Sequence, residues 1–145
     1  MQNLKNIVGT SDVEQYELLN NLQEEFKDFK TYLNQFYIES NNIEFKKDAL
    51  AFAIISLIEV NKLLLKLQYI SIDNNIDLRK FEESKSFCIF LLDSLFMENK
   101  INIQAIGFVN RFAMDYKSVK KDEIIKILEN NSDNEECGCN KKGDE

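Results

Sequence analysis

An all-α, antiparallel helical bundle of four to five helices, followed by a disordered acidic C-terminal tail, is the fold class this sequence predicts. Three observations lead there. The 145 residues include no Pro and only four Gly, so the turn and bulge residues that strand-rich folds need are missing. Apolar residues recur at spacings of three and four over long stretches. The breaks between those stretches are short clusters of Asn, Asp and Ser. A chain of this length suits one domain, here residues 1–129, because two would each be too small to bury a sizeable core.

The first helix is expected over residues 12–38. Ser11 with Glu14 fits a capping box, which satisfies two orphan backbone donors. Leu19, Leu22, Phe26, Phe29, Leu33 and Phe36 then recur as a heptad seam. Three Phe are bulky for a two-stranded zipper, so the seam suits a bundle. Ser40, Asn41 and Asn42 break the pattern, and Asn41 with Glu44 is placed to start a second helix over 45–70. That segment is apolar nearly all round, with a thin polar stripe of Asp48, Ser56, Glu59, Lys62 and Lys66. A helix with so little polar surface belongs at the centre. Residues 69–72 alternate and read as a short extended piece before a loop at 73–75.

The third helix is expected over 77–98, capped by Asp77, with the continuous apolar run at 87–92 buried. A fourth helix follows over 103–117, in which Gly107 and Ala113 favour close packing, and a short fifth over 120–129. No repeat of solenoid period occurs.

Charge narrows the function classes. The net charge is −7, and segment 129–145 carries six acids against two Lys, leaving the body only mildly acidic. Only Arg79 and Arg111 are Arg, so a basic nucleic-acid-reading stripe is lacking and direct nucleic-acid binding is not expected. Lys117, Lys120 and Lys121 read as a solvated helix start. The tail, residues 130–145, has almost no apolar residue to repay ordering. The N-terminal segment has no apolar core of a secretory signal, and the longest apolar run falls well short of the ~20 residues a bilayer span needs. A cytoplasmic protein with free thiols and no membrane partner is therefore expected.

With no His, imidazole ligands and His-based dyads or triads are excluded. No phosphate-cradling Gly loop exists among Gly9, Gly107, Gly138 and Gly143. No enzyme activity and no cofactor are expected. Three polar residues break the apolar faces: Asn61, Asp93 and Arg111. A structural ion pair between Asp93 and Arg111, with Arg111 also in reach of Asp115, is the plain reading; a small ligand pocket lined by Asn61, Asp93 and Arg111 is the sharper one. Cys137 and Cys139 flank one Gly, a spacing suited to a soft metal shared between chains or to a thiol pair. Cys88 reads as a small buried apolar residue. By elimination the protein is expected to act through protein contacts or self-association, as a small assembly subunit, adaptor or inhibitor. Val13, Tyr16 and Leu18 extend apolar surface past the main seam and are the expected contact point. The alternatives are an internal-pocket sensor and a thiol-tailed metal carrier.

Overall fold

The structure is a computed structural model. It describes residues 2–38, 42–74, 77–114 and 119–132, and the side chains of 13–38, 42–69, 77–114 and 119–132. The fold is all-α. Its elements are α1 (Gln2–Ile38), α2 (Ile43–Asn74), α3 (Arg79–Glu98), α4 (Ala105–Ala113) and α5 (Lys121–Asn130). The expected tail residues 133–145, with Cys137 and Cys139, lie outside the described residues, as do Asn41, Asp115 and Lys117.

The α2 helix is the centre of the molecule, and all four other helices pack on it. Its residues Ala49, Ala51, Ile54, Leu57, Val60, Leu64 and Leu67 are buried. The α1–α2 pair is antiparallel, as a short connection requires: Phe36 lies under the Lys46 ammonium, and Tyr32 stacks on Phe52. The expected seam faces this partner, with Leu22, Phe29, Leu33 and Phe36 buried and Leu19 and Phe26 packed against the core.

Helix boundaries depart from the sequence reading in several places. The α1 backbone is helical from Gln2, so Ser11 is inside a helix and not its cap; no Pro interrupts residues 2–11, and the helix extends ten residues earlier despite Gly9, Thr10 and two Asn. The α2 start is capped by Asn42, whose Oδ1 accepts from the Phe45 N–H at 3.0 Å. Residues 69–72 are helical and continue α2 to Asn74, because two alternating pairs do not outweigh a helix already propagating. The α4 helix spans only Ala105–Ala113. Leu78 stands at the α3 N-cap in place of Asp77, whose Oδ1 still accepts from the Arg79 N–H at 3.1 Å. Hydrogen bonds from the Arg79 guanidinium also hold the Asp77 carboxyl down at about 2.

The turn after α3 closes the bundle. Lys100 adopts φ 57°, Lys100 N–H bonds Met97 O at 3.2 Å and Ile101 N–H bonds Phe96 O at 2.8 Å. This is a Schellman arrangement, usually built on Gly. Asp93 then caps α4: its Oδ1 accepts from the Ala105 N–H at 2.7 Å. Gly107 serves no close packing, since an added Cβ would meet nothing within 4 Å. In α5, Glu123 reaches back to the Lys120 N–H at 2.9 Å. Lys121 pairs with Asp48 and Glu129 with Lys47. The two ends of α5 are thus tied to adjacent residues of α2, so α5 must cross α2 steeply. Past residue 129, Asn102 N–H bonds Asn131 O at 2.8 Å and Ile101 bridges Ser132.

Two substitutions of opposite sign follow. Lys100→Gly removes the cost of a left-handed non-Gly residue and is expected to raise stability by about 0.5–1 kcal/mol. Asp93→Ala orphans the Ala105 N–H and is expected to lower it by about 1–2 kcal/mol. Urea unfolding of both variants measures the two effects.

Candidate functional site

Asn61, Asp93 and Arg111 are engaged separately in the structure. Asn61 faces the core as expected, 4% exposed. Its Nδ2 donates to Asn110 Oδ1 at 2.8 Å, and its Oδ1 accepts from Lys85 Nζ at 3.2 Å. Lys85 in turn pairs with Glu82 at 3.2 Å, and Glu82 accepts from Gln68 at 2.6 Å. This chain joins α2, α3 and α4 and satisfies a polar group that would be costly alone. Asp93 is engaged at the α4 start, and Arg111 is exposed with its guanidinium over Phe112. The Asp93–Arg111 ion pair is absent among the described residues, because the short α4 puts Asp93 at its beginning and Arg111 near its far end. Asn110 and Lys85 are the partners that sequence reasoning missed; both sit on half-polar faces with nothing local to mark them.

Among the described residues no group of three Cys, Asp or Glu could hold a metal ion. Cys88 is buried as expected, and burial pushes its thiol up to about 11. No helix is long and apolar enough to cross a membrane.

Val13 and Tyr16 are exposed, Tyr16 by 72%, while Leu18 packs partly against the core. The larger apolar surface is on α3 and was expected to be buried. Cys88, Ile89 and Leu92 are buried, yet Phe87 is 60% and Phe90 63% exposed. Six consecutive apolar residues cannot all face one side of a helix with 3.6 residues per turn, so α3 turns two aromatic rings to solvent. Met97 continues that stripe at heptad spacing, and Ile106 of α4 is exposed beside the α3–α4 turn.

Phe87 also borders a groove of about 630 Å³ between α1 and α3. Among the described residues no Cα of α1 comes within 8 Å of α3. The two helices meet through side chains, chiefly Phe26 stacked on Phe81 with ring centroids 6.4 Å apart. The groove walls carry Lys27, Lys30 and Lys80 against a single acid, Glu83. A second, smaller cavity of about 290 Å³ lies at the other end, between α5 and the α2 start, lined by Phe36, Leu50, Ile101 and Leu128.

On the opposite flank of α1, Glu25 lies half-buried against α2. Burial pushes its carboxyl up from 4.5 to about 6, with Asp28 and Glu59 adding like charge, a hydrogen bond with Ser56 opposing, and Glu24 adding more. Ser56 itself is buried, where the polar stripe of α2 had placed it toward solvent. Glu25 is three residues after Leu22 and four before Phe29, a spacing that marks it as a flank of the seam.

No family model, curated protein or solved structure matches the chain.

The Glu25 site makes a pH prediction. Between about pH 4.5 and 6 the folded protein holds more protons there than the unfolded chain, so this group lowers stability as pH rises through that window. Glu25→Gln is expected to exceed wild type by about 1 kcal/mol at neutral pH, a value discounted for solvent screening. The advantage is expected to vanish in acid below that window. Unfolding curves at both ends of the range measure it.

Proposed function

We propose that the protein is a non-enzymatic helical bundle that acts through protein contacts, as an assembly subunit, adaptor or inhibitor. One observation carries the reading: the outer face of α3 presents Phe87, Phe90 and Met97 to solvent in a single stripe. Burying a Phe is worth about 1.5–3 kcal/mol, and this chain forgoes that gain twice within one turn. Contiguous exposed apolar surface of this kind is characteristic of interaction sites. Aromatic residues are also the side chains most enriched where binding energy concentrates. Tyr16 and Val13 on α1 add exposed apolar surface of the same character. The chain's chemistry points the same way, since it has no His and its one described thiol is buried with a raised pKa.

Phe87→Ser with Phe90→Ser tests the reading. Both side chains are solvent-facing, so the double variant is expected to keep its helicity and melting temperature. Quantitative affinity purification from the source cell, wild type against variant, is expected to recover a defined set of proteins that the variant loses. Recovery of the same set with both proteins would overturn the role of this face.

A further inference from the structure

We propose that the α1–α3 groove binds an acidic amphipathic helix of a partner protein. Its apolar side chains would seat against Phe26, Phe81 and Phe87, and its carboxylates against Lys27, Lys30 and Lys80. The inference rests on the protein-contact reading and names the partner's chemistry.

The shape is the first argument. Two helices whose backbones stay apart, bridged by an aromatic stack, leave a trough lined by their side chains. Helix-in-groove recognition uses such a trough, with anchors at i, i+3 or i+4, and i+7. The groove volume of about 630 Å³ is open along its length and has aromatic side chains on both walls. Phe87 joins it to the exposed stripe at Phe90, so the apolar surface continues from the trough onto the outer face of α3.

Charge complementarity is the second argument, and it selects the partner. The chain carries −7 overall, yet the groove gathers three Lys against one Glu. Lys47, Lys62, Lys85 and Lys121 each pair with a carboxylate of this chain. Among the described residues Lys27, Lys30 and Lys80 form no ion pair, although the exposed Asp77 carboxylate lies near enough to feel the Lys80 charge. Of the α1 acids that lie near them in sequence, Glu24, Glu25 and Asp28, the last two are gathered toward Glu59 of α2 on the other flank of the helix. A positive trough attracts an acidic segment and repels a basic one. Tyr16 lies two turns before Gln23 on the same strip of α1. The two-walled part of the groove, from Gln23 to Lys30 on α1, spans ~10 Å, about two turns of a bound helix, and the strip back to Tyr16 would extend the contact along α1 alone.

The test uses the full chain and fluorescence anisotropy. The probe is a labelled peptide of about 16 residues, ~24 Å as a helix, with Leu and Phe at i, i+3 and i+7 spacing and Glu elsewhere. A matched peptide replaces every Glu by Lys. The acidic probe is expected to bind at least about tenfold more tightly than the Lys probe, and to weaken as salt rises. Lys27→Glu, Lys30→Glu and Lys80→Glu together are expected to invert that preference. Should the triple reversal fail to fold, the neutral Gln triple is expected to remove the preference and its salt dependence. Phe87→Ala is expected to weaken the acidic probe about tenfold at unchanged helicity.

Equal binding of the two peptides, or a preference that survives the lysine changes, would overturn the groove assignment. So would tighter binding of a single-stranded oligonucleotide, whose phosphates and bases also suit lysines and aromatic rings. The broader reading fails separately. If Phe87→Ser with Phe90→Ser loses cellular partners while peptide binding ignores the lysines, the contact face stands and the groove does not.

Discussion

The burial of α2 on nearly every side is the constraint from which the rest of the molecule follows. A helix that carries Ala, Ile, Leu and Val around most of its circumference cannot rest against one neighbour. The long α1 covers one side, using a seam that ends in Phe36 under Lys46. The remaining surface is divided among α3, α4 and α5. Two of these are only nine and ten residues long, too short to be stable alone, so their ends are fixed from outside. Asp93 starts α4, and α5 rests on α2 through Ile124 and Leu128, with Lys47 and Asp48 meeting its two ends. Because α1 and α3 are both committed to α2, neither closes on the other, and the trough between them is a by-product of serving a common centre.

Polar groups inside this arrangement set its register. An Asn at position 61 with two side-chain partners on two other helices is satisfied in one arrangement only. A slip of α3 by one turn would leave the Asn61 Oδ1 unpaired at a cost of about 1–3 kcal/mol. Glu25 acts in the other direction. It holds a carboxylate against Glu59 and Asp28 where a neutral group would suit better, and the seam of α1 tolerates this because Leu22 and Phe29 on either side are fully buried.

Most of the architecture was legible in the residue pattern. The 3-4 spacing of the α1 seam and the apolar circumference of α2 each have one physical reading, and each matches the structure, though Ser56 of the α2 polar stripe is buried. Helix ends were less legible. Ser11 carries the chemistry of a cap, but nothing before it stops a helix, so the helix runs through it. The candidate site was legible only in part. Tyr16 and Val13 stand on a helix flank that periodicity identifies, and they are exposed. Phe87 and Phe90 were hidden by their own neighbours, since a run of six apolar residues reads as core unless the helical turn is applied residue by residue. Asp93 and Arg111 share a plausible spacing, but a two-residue shift in where α4 begins carried one to a backbone amide and the other to solvent. The partners of Asn61 depend on three-helix packing, which no local spacing encodes.

The steep crossing of α5 bears on how the molecule opens. Contacts between α1 and α2 join segments that follow one another in the chain, whereas Lys47 and Glu129 are 82 positions apart. Closing that distance demands more loop entropy than the hairpin does. What repays it is small: Ile124 and Leu128 are the buried side chains of α5, and the two ion pairs are exposed enough to count for little. Such an element detaches at a fraction of the free energy that unfolds the whole domain. Its departure uncovers Phe36, Leu50 and Ile101 at one end of the molecule, far along α2 from the groove. Hydrogen exchange is therefore expected to enter the bundle at the end that α5 covers.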